Sequence, residues 1–156
     1  MLNDFERELW IRVRDHLTSA ARVCDRFHDH YLSRIDLMSD SLEAEFGALP
    51  SPFRALAALH QAWGLTAGDG LPCYLLQFQP SLDELVGEGL HLIGNEPCFE
   101  ALKACRATIE KYRHLDPQDW PQHIRDDFPE DAFFEPIRDC DRLIGEFIAS
   151  FFRGRT

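Results

Sequence analysis

Lysine is almost missing from this chain: Lys103 and Lys111 stand against fourteen arginines, and most of the arginines are interleaved with acids. A basic patch able to track a phosphate backbone is therefore not expected, and direct nucleic-acid binding is set aside. Long apolar runs are missing too. The longest span only a few residues, as at Phe133-Phe134, far short of the roughly 18 residues that mark a membrane span. The opening segment Met1-Leu2-Asn3-Asp4-Phe5-Glu6-Arg7 has charges where a signal peptide needs an apolar core. It reads as part of the fold, which gives the expectation of a cytoplasmic protein with no membrane association. The five cysteines, Cys24, Cys73, Cys98, Cys105 and Cys140, are odd in number and form no C-x-x-C pair. That argues against a disulfide framework and for reduced core thiols. Cys98 and Cys105, seven apart, fall on one face of a helix.

The chemical motifs are absent as well. There is no H-E-x-x-H, no calcium loop, no G-x-S-x-G and no paired Cys/His pattern. Gly68-Asp69-Gly70 lacks the spacing of a phosphate loop and has no lysine beside it. The one local cluster is Asp25-Arg26-Phe27-His28-Asp29-His30-Tyr31. His28 and His30 are two apart, so on a helix they point about 200° away from each other and cannot share a metal. Asp25 can share a face with His28 or Asp29, but the segment alone does not supply three converging ligands. The expectation is no metal, no cofactor and no enzyme activity, with His16, His60, His91, His114 and His123 scattered outside any motif.

What the chain does have is helical periodicity. The 156 residues are 45% hydrophobic and 12% aromatic, a globular composition of single-domain length. Leu2, Phe5, Leu9, Val13, Leu17, Ala20, Cys24, Phe27 and Tyr31 recur at spacings of three and four, predicting one long helix or two collinear ones. Ile35, Met38, Leu42, Phe46 and Leu49 predict a second helix, stopped near Gly47 and Pro50. Ser51-Pro52 starts a short helix through Phe53, Leu56, His60 and Trp63, ending at Gly64. Residues 66–72 are the best loop candidate. Cys73-Tyr74-Leu75-Leu76-Gln77-Phe78 fits either a strand or a helical turn, and its all-helical surroundings favour the turn. Ser81 and Glu84 have capping-box spacing at the head of a helix through Leu82, Leu85, Val86, Leu90 and Ile93. Gly87 and Gly89 inside that helix point to a closely packed neighbouring backbone. Two more helices come next, one on Cys98, Leu102, Cys105, Ile109 and Tyr112, the other on Ile137, Cys140, Ile144, Phe147 and Phe151. The predicted fold is all-α, a single domain over 1–156 of about six helices in an irregular bundle.

The other abundant feature is negative charge, −11 in total. Residues 1–34 balance. Residues 35–100 hold ten acids and one base, Arg54, and residues 115–146 have a net charge of −7. Such a field repels nucleic acid and anionic membrane and draws in basic surfaces. Three patches stand out as partner-binding candidates. Asp36, Asp40 and Glu43, at i, i+4 and i+7 of the second predicted helix, repeat at about 6 Å, a spacing comparable to that of phosphates along a DNA strand. Asp83, Glu84 and Glu88 form the second patch, and Asp126, Asp127, Glu130 and Asp131 the third.

Between about residues 50 and 112, three features occur in order. They are the turn Gly68-Asp69-Gly70-Leu71, the aromatic-bearing stretch Cys73 to Phe78, and the closing signature Leu90-His91-Leu92-Ile93-Gly94-Asn95, with Ala101 and Leu102 in the helix beyond. This order resembles the DMP-type DNA-mimic family of helical proteins, with departures at Asp69, Pro72 and Cys73. The resemblance implies an all-helical fold, a possible homodimer and, in characterised members, a carboxylate surface that occupies a DNA-binding protein. Charge and resemblance together lead to a non-catalytic acidic protein that binds a basic protein partner, either as a DNA-mimic inhibitor or, alternatively, as an immunity-type protein neutralising a cognate bacterial toxin.

Overall fold

The computed structural model describes residues 3–15, 19–36, 39, 41–71, 74–75, 80–114 and 130–154. Eight α-helices run through them: α1 Asp4–Arg14, α2 Ala20–Tyr31, α3 Leu42–Gly47, α4 Phe53–Asp69, α5 Pro80–Leu92, α6 Glu96–Tyr112, α7 Glu130–Ile137 and α8 Cys140–Arg153. A short 3-10 turn, Leu32–Arg34, extends α2. No strand occurs among the described residues. The all-α class is as expected; the helices outnumber the predicted six because the first apolar stripe is divided between α1 and α2, and because α7 forms where apolar spacing predicts no separate helix.

The first stripe breaks by reversing. A capping box starts α1: Glu6 N–H donates to Asn3 Oδ1 at 2.8 Å and Asn3 N–H donates to Glu6 Oε2 at 2.9 Å. Ser19 then caps α2, accepting from Arg22 N–H at 3.4 Å. The two helices lie antiparallel rather than collinear. Phe5 stacks on the His30 ring at 3.8 Å and Arg26 reaches Glu8 at 3.2 Å. Periodicity reports which face of a helix is apolar, not which way the axis runs. The second stripe breaks because Ile35 is extended (φ −80°, ψ 124°). Beyond Ile35 the stripe is helical only over the six residues of α3 among those described.

The centre of the molecule is α4, whose Ala55, Leu56, Ala57, Ala58, Leu59 and Ala62 are all buried. It does not end at Gly64. Leu65 and Thr66 carry the apolar face one more turn, Thr66 satisfies its hydroxyl by donating to Ala62 O at 2.7 Å, and the helix stops at Gly70 with φ +87°. Of the loop expected over 66–72, only Gly70 is non-helical among the described residues, and Leu71 is helical again. Tyr74 and Leu75 are helical.

Small residues set the close crossings. A Cβ on Gly89 of α5 would lie 2.6 Å from the Ala55 carbonyl oxygen of α4. A Cβ on Gly145 of α8 would clash with the Ala20 carbonyl of α2. The backbone neighbour expected of the α5 glycines is thus found at Gly89, whereas Gly87 faces the Phe99 ring, 2.5 Å from where its Cβ would be. α5 ends in a tight turn: Asn95 N–H donates to Leu90 O at 2.8 Å and Gly94 N–H to His91 O at 3.0 Å, with Gly94 at φ +75°. This is a Schellman turn, and its left-handed position suits glycine. Asn95 also donates to Pro136 O at 3.1 Å, tying the α5–α6 corner to α7. Cys24, Cys98, Cys105 and Cys140 are free thiols buried in the core. Ile137 belongs to α7, not to the last helix; the chain turns at Arg138-Asp139 before α8 begins.

Candidate functional site

The structure sorts the sequence-predicted acids by position. Asp36 is exposed but lies between the 3-10 turn and α3, whereas Glu43 is exposed on α3 itself. The two do not share one helix face, so the phosphate-like row expected of them is not formed by a continuous helix. Asp40, Asp126 and Asp127 lie outside the described residues, as do the side chains of Glu130 and Asp131 at the start of α7.

Asp83 is a correction. It is only 7% exposed. Arg106 of α6 grips it in a bidentate pair, Nε to Oδ2 at 2.7 Å and Nη2 to Oδ1 at 3.0 Å. Tyr74 donates its hydroxyl to Oδ1 at 2.8 Å, and Arg106 Nη1 donates to the Leu75 carbonyl. The carboxylate cannot meet a partner, because its lone pairs are consumed inside the fold. Burial, followed by the Asp83 charge, pushes the Tyr74 hydroxyl well above its ordinary pKa.

Glu84 and Glu88 remain outside. They sit one turn apart on α5, exposed, and make no ion pair or hydrogen bond among the described residues. Between α5 and the start of α6 they rim a groove of about 500 Å³, with Leu85 and Phe99 on its floor and His91 and Glu96 at its far end. Glu96 is held by His91 at 2.8 Å. Lys103 lies over the Phe99 ring at 4.8 Å while pairing with Glu100 at 2.6 Å. The groove thus offers apolar floor and carboxylate rim, a combination suited to a long side chain with an aliphatic stem and a cationic head.

A second group of chemical side chains converges where α2, α4 and α8 meet. Cys24, His60 and Asp141 each place one donor atom within 4.8 Å of the others. His60 Nε2 is 3.5 Å from Asp141 Oδ1, and the His28 ring lies 5.1 Å from the His60 ring. The sequence shows one part of this group, the local cluster around His28. His60 stands isolated there, because its neighbours come from positions far along the chain. Burial lowers the His60 pKa, opposed by Asp141 and Asp25 and reinforced by His28. Burial, then the negative charges of Asp141 and Asp25, pushes the Cys24 thiol up to about 12.

No family model, curated protein or solved structure matches this chain. The resemblance to the DMP-type family rests on its own residues. Of these, Gly70 ends α4, Tyr74 and Leu75 are helical, and Leu90 to Asn95 form the Schellman turn. No helix among the described residues is long and apolar enough to cross a membrane.

Proposed function

We propose that this protein is a non-catalytic acidic binding protein that takes a basic segment of a protein partner into the α5–α6 groove. The observation that carries the reading is the pair Glu84 and Glu88: exposed, without a counter-charge among the described residues, and set on the rim of an apolar groove. Leaving two carboxylates one turn apart costs a few tenths of a kcal/mol by mutual repulsion, a cost that an arginine or lysine from a partner removes. The surrounding stretch 35–100, with a single base, extends the field that steers such a partner in. The partner class that fits first is a DNA-binding protein, in line with the DMP-type resemblance. A local groove, rather than an extended row of acids, also suits an immunity-type protein that captures one basic segment of a toxin.

The test is a pull-down from native cells with the wild type, a Glu84→Lys/Glu88→Lys variant and an Asp36→Lys/Glu43→Lys variant. The expected partner is basic, elutes with moderate salt and is lost from the first variant only. Retention by the groove variant together with loss from the second would move the interface to the α3 side.

A further inference from the structure

The second cluster owes nothing to the acidic groove and has its own chemistry. Cys24 and His28 lie on consecutive turns of α2, His60 near the middle of α4, and Asp141 in the first turn of α8. These are rigid supports. α2 and α8 are locked together at Gly145 against Ala20, and α4 packs on α8. The thiol is buried and His60 largely so, while His28 and Asp141 are about half exposed. One side of the cluster is therefore open to entry of an ion.

We propose that Cys24, His60 and Asp141, completed by His28, form a zinc site that joins α2, α4 and α8. One sulfur, two imidazole nitrogens and one carboxylate oxygen make a donor set that a borderline-soft divalent ion prefers, and hard cations such as magnesium or calcium do not. Zinc bonds of about 2.0–2.3 Å in a tetrahedron set donor atoms roughly 3.3–3.8 Å apart. His60 and Asp141 already stand at 3.5 Å. Within the Cys24–His60–Asp141 set the remaining separations are at most 4.8 Å and need a contraction of about 1 Å. His28, whose ring centroid is 5.1 Å from that of His60 and whose Nδ1 is 3.6 Å from Asp29, joins them by turning its ring away from Asp29.

The electrostatics agree with the geometry. The negative charges of Asp141 and, more weakly, Asp25 bear on the buried thiol, and a cation between the Asp141 carboxylate and the Cys24 sulfur is favoured by both. A neutral imidazole is the ligating form. Binding forms a bond from the Cys24 sulfur to the metal and releases the thiol proton to solvent, with no change of oxidation state. Zn²⁺ with one thiolate and one carboxylate leaves the site neutral. Four protein ligands leave no open position, so the site holds the fold rather than performing chemistry.

The probe is Co²⁺ added to metal-stripped full-length protein, followed by competition with Zn²⁺. The expected result is one equivalent of tetrahedral cobalt with a thiolate-to-metal charge-transfer band, displaced by zinc, and a higher melting temperature with either ion. Cys24→Ser should remove the charge-transfer band. His60→Ala should weaken binding by more than the tenfold or so that loss of even an outer partner brings. His114→Ala, at an exposed histidine just beyond α6, should leave cobalt binding and the melting temperature unchanged. Should Cys24→Ser fail to fold, His28→Ala provides the reading, through a changed cobalt spectrum and weaker affinity in a folded chain. A folded wild type with no sulfur-to-cobalt band overturns the proposal, as does a band that survives both His28→Ala and His60→Ala at full affinity. In either case Cys24 is a core thiol and His60–Asp141 an ordinary polar contact.

Discussion

Arg106 reaches across from α6 to hold Asp83 and the Leu75 carbonyl at once, and it is itself only 8% exposed. A charge so placed is costly to strand. Arg106→Ala leaves a buried carboxylate without its counter-ion and should cost about 3–5 kcal/mol, read from the midpoint of a urea melt. Replacing Asp83, Arg106 and Tyr74 together by apolar residues of similar size should cost much less, because no charge is left behind. Sequence alone places Asp83 with its neighbour Glu84 on the surface. The available signal was register: Asp83 is three and seven residues from Val86 and Leu90, both buried, so it shares their inward face. His60 gives a second prediction at this scale. Its pKa is lowered in the fold by burial, against Asp141 and Asp25, which raise it. Below its unfolded pKa of about 6.5 the unfolded chain therefore binds the proton more readily. Stability should fall as pH drops through that value in metal-free protein, and the His60→Gln variant should show a shallower loss by calorimetric melting between pH 7 and 5.

At the level of elements, two glycines decide how closely helices approach. Gly145→Ala forces a methyl into the Ala20 carbonyl, and Gly89→Ala into the Ala55 carbonyl. Each should cost about 1–3 kcal/mol, as overpacking in a tight interface does, and the measurement is again a denaturant midpoint. Both contacts are with rigid backbone, so no rotamer change relieves them. Gly87→Ala meets a side chain, Phe99, and should cost less if the ring can swing out. Most helices were legible from apolar spacing, and the glycine-ended turn of α5 was legible from Gly94. The antiparallel turn between α1 and α2 was not, because both helices happen to keep the same apolar phase across residues 16–18. The break in the second predicted helix was not legible either: Ile35 continues the apolar spacing but adopts an extended backbone. Gly145, an interior glycine on a strongly amphipathic helix, is itself a sequence sign of a close crossing. The Cys24–His60–Asp141 group was beyond any local pattern, since its members are brought together only by the packing of three helices.

Across the whole molecule, the chain is divided between a charge-balanced α1–α2 hairpin and a strongly negative stretch from 35 to 100. Packing internalises part of that charge at Asp83 and leaves Glu84 and Glu88 at the groove. If the field guides a basic partner, association should slow by about tenfold or more on going from 0.1 M to 1 M salt, as the screening length contracts from about 10 Å to 3 Å. Stopped-flow association with the captured partner would read this. A rate indifferent to salt would point to an apolar contact instead.

The groove itself can be tested without knowing the partner, by titrating a short arginine-rich peptide into isotopically labelled full-length protein and following backbone amide shifts. The expected result is saturable binding whose shifts cluster on Glu84, Leu85, Glu88, Glu96 and Phe99, and which weakens by at least about tenfold, near 1.4 kcal/mol, in the Glu84→Lys/Glu88→Lys variant. Shifts spread evenly over all exposed acids, or centred on Asp36 to Glu45 with the groove unchanged, would contradict it.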